Sequence, residues 1–102
     1  MIATVSLGCH TILDLYPKSK DGIESEFSLL LEPRSILILS GDFYTDYLHG
    51  IKESSKDQIP HSKILNSIDS SNSMFSQTRN QTRISLTFRR HKNVTRPKYL
   101  RF

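Results

Sequence analysis

From Thr82 to Arg90 the chain alternates: Arg83, Ser85, Thr87 and Arg89 fall on one side, Ile84, Leu86 and Phe88 on the other. A period of two marks a β-strand, whose successive side chains point to opposite faces. The apolar row is expected to face a core. The two guanidiniums opposite can project into solvent, as most charged side chains do. Alternatively, both can point into a pocket that holds an anion, because arginine pairs bidentately with carboxylate or phosphate. Alternation alone favours solvent.

The other apolar runs also have strand length. Ile2 to Leu7 is interrupted by Gly8, and Thr11 to Tyr16 ends at Pro17, which predicts a kinked strand or a hairpin. Lys18 to Ser25 reads as a polar turn. Phe27 to Leu31 and Ser35 to Leu39 flank Glu32-Pro33-Arg34, which predicts strand, tight turn, strand. The second of these runs is apolar on both faces and is expected to be interior. Asp42 to Leu48 can open as a helical turn capped by Asp42 and lead into a short strand carrying His49. From Lys52 to Asn80 the composition turns to serine, asparagine, lysine and aspartate. That reads as a long loop, with one or two helical turns around Ile64, Leu65 and Ile68 and with disorder from Ser70 to Gln77. The expected fold class is all-β, with about six strands and one long polar insertion.

Composition narrows this only a little. The 102 residues make one domain or part of one. A net charge of +4 suits a polyanionic partner such as nucleic acid without establishing one. One cysteine, Cys9, excludes an internal disulfide framework and a cysteine-rich zinc site. No signal-peptide pattern or membrane-length apolar run occurs, so the expected location is intracellular, in nucleus or cytoplasm, with no membrane partner.

Familiar catalytic patterns are missing: there is no glycine-rich phosphate loop and no Gly-x-Ser-x-Gly elbow. A two-histidine, one-carboxylate iron site often begins as His-x-Asp or His-x-Glu, but two residues after the histidines stand Ile12, Ile51, Lys63 and Asn93. His10 follows Cys9, and neighbours on a strand face opposite ways, so the pair is a poor metal site. His61 and His91 lie in polar surroundings. His49 taken alone is more readily structural than a ligand. Asp42 and Asp46 read as a solvated face.

Three segments in order carry a resemblance: Thr4-Val5-Ser6-Leu7-Gly8-Cys9-His10-Thr11-Ile12-Leu13-Asp14-Leu15-Tyr16, then Leu29 to Ser35 continuing to Leu48-His49-Gly50-Ile51, then Arg83 to Arg89. Together they resemble the carboxyl-terminal half of the AlkB family of Fe(II)- and 2-oxoglutarate-dependent dioxygenases. The resemblance implies a partial double-stranded β-helix, or jelly roll. It implies that His49 is the distal iron ligand and that Arg83 and Arg89 hold 2-oxoglutarate. It further implies 2-oxoglutarate and O2 as co-substrates, and oxidative dealkylation of nucleic acid.

The family's His-x-Asp pair has no counterpart here, so the chain is expected to be a fragment. Its binding of Fe(II) and 2-oxoglutarate should be weak or absent, and turnover by the chain alone is not expected. On this reading residues 1–51 are jelly-roll strands, 52–80 the insertion, 81–91 the arginine strand and 92–102 a basic tail. Lys92, Arg96, Lys98 and Arg101 of that tail, near Tyr99, define a rival reading: a small basic β-domain that binds nucleic acid without catalysis. Oligomeric state is not legible from the sequence.

Overall fold

The computed structural model describes residues 1–21, 24–68 and 73–89. Among them eight strands form: β1 (Ile2–Leu7), β2 (Thr11–Pro17), β3 (Phe27–Leu31), β4 (Ser35–Leu39), β5 (Tyr47–Gly50), β6 (Lys56–Pro60), β7 (Met74–Thr78) and β8 (Ile84–Arg89). One helical turn, α1 (Asp42–Thr45), precedes β5. Six of the strands make two antiparallel sheets, ordered β4-β1-β8 and β3-β2-β5, and β6 pairs with β7 as a separate hairpin. Leu13, Leu15, Leu29 and Leu31 from one sheet meet Leu39 from the other in a buried cluster. Two sheets with the chain passing repeatedly between them make the jelly-roll arrangement expected from the sequence.

Two tight passages take the chain from sheet to sheet. Gly8, at φ 87°, separates β1 from β2 in a region that side chains other than glycine avoid. A Cβ there would also overlap the carbonyl oxygen of Thr82. At Glu32–Arg34 the chain crosses from β3 to β4. There Arg34 adopts φ 63° and donates its backbone N–H to the Ser6 carbonyl at 2.7 Å. The strand, turn, strand reading of this region holds, but the two strands belong to different sheets and make no hairpin. Likewise Gly41, at φ 59°, and not Asp42, stands at the cap of α1, with no side-chain cap bond.

Two expectations about facing are reversed. On β4, Ile36 and Ile38 are 68% and 58% exposed, so this strand is interior on one face only. On β8 the row Ile84, Leu86 and Phe88 points away from the other sheet, and Phe88 is 61% exposed. The register sets Val5 beside Ile36 and Leu86, and Ala3 beside Ile38 and Phe88, so one outer sheet face carries all these apolar side chains. Alternation fixes which residues share a face but not which face lies inward.

The insertion is more ordered than its composition suggests. Met74–Thr78, all but its last residue within the stretch expected to be disordered, pairs in register with Lys56–Pro60. The hairpin is fastened to the β1–β2 turn by a buried polar network. His10 Nε2 lies 2.9 Å from Asp57 Oδ2, and Arg79 donates to both Asp57 oxygens at 2.7 Å. Phe75 meets the His10 and His61 rings edge-on. Beyond the 3-10 turn His61–Lys63, Ile64 is buried and Asn66 bonds to both backbone groups of Leu30, which covers the β3 edge.

Candidate functional site

His49 is placed by a local aromatic knot. Phe27, Phe43 and Tyr47 meet with ring centroids 5.1 to 6.1 Å apart, which docks α1 and the start of β5 on the core. Lys18 ties the same turn down, its backbone N–H donating to the Asp46 carbonyl and its Nζ to the Thr45 carbonyl. Pairing with β2 then sets His49 opposite Leu15, with its ring exposed.

Arg83 immediately precedes β8 and is half-buried; Arg89 ends the strand and is exposed. Between the sheets lies a cavity of about 190 Å³, and His49, Arg83, Ser85, Thr87 and Arg89 all line it. The polar face of β8 is therefore the inward one. The structure brings together the histidine and both arginines singled out from the sequence. Lys92, Arg96, Lys98 and Arg101 lie outside the described residues.

The setting of Arg83 is specific. Its Nη2 donates to Ser6 Oγ at 2.9 Å, and Ser6 is only 1% exposed. Its Nε is buried with no hydrogen-bond partner in the described structure. An orphaned buried donor costs about 1–3 kcal/mol, more when charged, so this atom favours an acceptor that arrives with a ligand. Burial pushes the guanidinium's pKa down, the nearby charge of Arg79 adds to the effect, and Cys9 opposes it. Such a group gains from an anion, so the arrangement fits a carboxylate.

The fit to iron is different. No group of three or more histidine, cysteine, aspartate or glutamate side chains able to hold a metal occurs among the described residues. His49 offers one donor, and the described residues do not by themselves complete an iron site.

Three supporting residues escaped the sequence reading. Ser6 and Gly8 fix Arg83 from β1 and the turn after it, yet Gly8 read only as an interruption. His10 read as a poor ligand, and it is a buried anchor for the hairpin. Its partner Asp57 lies 47 positions away, beyond any local pattern.

The sequence that builds these two sheets has relatives among known proteins. The chain belongs to the 2OG-Fe(II) oxygenase superfamily, whose family model matches residues 1–89. Within it the chain is AlkB-like: over 105 residues it is 34% identical to the Probable RNA/DNA demethylase ALKBH6 of Danio rerio. That match takes in 93% of this chain and 44% of the relative, so the chain spans less than half of that protein's length. No solved structure matches it.

Proposed function

We propose that this chain carries the co-substrate side of an AlkB-type Fe(II)/2-oxoglutarate dioxygenase, acting in oxidative dealkylation of nucleic acid. The observation that carries the reading is the unpartnered Nε of Arg83, buried at a cavity that His49 and Arg89 also line. In this role Arg83 holds one carboxylate of 2-oxoglutarate, its second nitrogen already steadied by Ser6. Arg89 adds positive charge at the far end of the same strand face. His49 contributes one metal donor. In the superfamily the metal supplies activation of O2 when bound; no step through it follows from these residues alone. The nucleic-acid substrate rests on the likeness to the probable RNA/DNA demethylase of Danio rerio. The rival reading, a basic binding module without catalysis, leaves the paired arginines and the cavity unexplained.

A titration of the 102-residue chain with 2-oxoglutarate, followed by NMR at the Arg83 Nε–H, tests this. The expected result is a saturable shift in the millimolar range, weaker with the monocarboxylate acetate, and a matching shift of the Ser85 and Thr87 backbone amides at the same cavity that is lost in Arg83→Lys. Lysine keeps the charge but loses the planar fork. An Nε–H that does not respond, or responds equally to acetate, would sink the proposal.

A further inference from the structure

Alternation along β2 turns Leu13 toward the cavity and Ile12 and Asp14 to the opposite face of the β3-β2-β5 sheet. There the β6–β7 hairpin leaves a cleft of about 420 Å³ over the sheet, a size typical of small-molecule sites.

The floor of the cleft holds a buried carboxyl group with no cation beside it among the described residues. Asp14 is 4% exposed, and its Oδ1 accepts one hydrogen bond, from Ser28 Oγ at 2.7 Å. Among the described residues no cation pairs with it. A buried carboxylate is costly unless donors surround it.

The walls have the opposite character. Exposed Lys52, Lys56 and Lys63 line the cleft with no ion-pair partner among the described residues. Arg79 and Asp57 also line it but neutralise each other through their paired bonds. Lysines therefore ring one buried acceptor, and Ile12 and Ile59 supply apolar surface.

A ligand that answers both parts must carry adjacent hydrogen-bond donors at its inner end and negative charge at its outer end. We propose that this cleft binds a guanine nucleotide, with the base on Asp14 and the phosphate among Lys52, Lys56 and Lys63. An ionised carboxylate can only accept. Guanine offers N1–H and the N2 amino group side by side, which matches two carboxylate oxygens. Adenine, cytosine and uracil each place an acceptor beside a donor on that edge and aim a lone pair at the carboxylate. The site lies across the sheet from Arg83, so it stands or falls separately from the co-substrate reading.

Calorimetric titration of the whole chain with GMP, guanosine, AMP and a single-stranded pentanucleotide containing one guanine tests it. GMP should bind roughly tenfold or more tighter than AMP, and Asp14→Asn should abolish that preference. The double variant Lys56→Ala, Lys63→Ala, altered only at exposed positions, should weaken GMP and leave guanosine unchanged. A pentanucleotide that binds tighter than GMP would support a polymer as the source, and equal binding would support a free nucleotide. The proposal is overturned if GMP does not bind, or if AMP equals GMP. Should Asp14→Asn fail to fold, GMP binding that ignores the lysine variant overturns it independently.

Discussion

Replacing Gly8 with alanine separates two contributions that meet at one residue. The first is conformational: at φ 87° an L-residue is strained, at about 1–3 kcal/mol. The second is contact. The new methyl group would overlap the Thr82 carbonyl, and both neighbours are backbone, so no flexible side chain can give way. The chain before Arg83 must withdraw until carbon and oxygen regain ordinary separation, roughly 3.5 Å. Overpacking of this kind adds about 1–3 kcal/mol, for a combined loss near 4 kcal/mol. Gly41→Ala is the control, because Gly41 also has positive φ, at 59°, but nothing stands within 4 Å of its added Cβ. It should show the conformational loss alone. Urea denaturation of both variants reads the difference as a shift in ΔG at unchanged slope. The withdrawn Thr82–Arg83 backbone should also loosen the bond from Arg83 to Ser6, visible as a shift of the Arg83 side-chain N–H resonances. Equal destabilisation by the two substitutions, with undisturbed Arg83 resonances, would refute the idea that Gly8 sets the arginine's position.

Asp57→Ala leaves His10 and Arg79 without their shared partner, in a network whose side chains are 2%, 16% and 8% exposed for His10, Arg79 and Asp57. A loss of about 3–5 kcal/mol is expected. Hydrogen exchange should show protection lost in Lys56–Pro60 and Met74–Thr78 before Ile2–Leu7; uniform loss across all strands would count against a local latch. The outer apolar face of β4-β1-β8 should make the chain self-associate as concentration rises. Leu86→Thr with Phe88→Thr should reduce that association in light scattering while keeping strand propensity, and unchanged association would place the sticky surface elsewhere.

The strands were legible and their facing was not, for a common reason. Alternation in Arg83 to Arg89 is a local property and correctly marks a strand, but the rule that apolar rows face inward assumes that the interior is apolar. Here the β8 side of the space between the sheets is polar, with Ser85, Thr87 and both arginines set against Leu13, Leu31 and Leu39, and the apolar row turns outward with Ile36 and Ile38. The hairpin was missed from the other direction. Lys56–Pro60 and Met74–Thr78 carry little apolar alternation, and they are held by cross-strand pairing and by an acid that reaches back to His10. Such long-range polar bonds leave no local trace.

The same limit applies at the site. His49, Arg83 and Arg89 stood out through family resemblance, whereas Ser6, 77 positions from its arginine, could not. Yet Ser6 and Gly8 decide what Arg83 can do. One nitrogen is held by a buried hydroxyl and another is buried unpaired, so the guanidinium is fixed in place and incompletely satisfied. A ligand that fills the missing bond binds the folded chain and not the unfolded one, and mass action then links its binding to the stability of the fold. The strand with the charged face is thus a structural edge, and the proposed co-substrate role depends on the inward direction of its polar face.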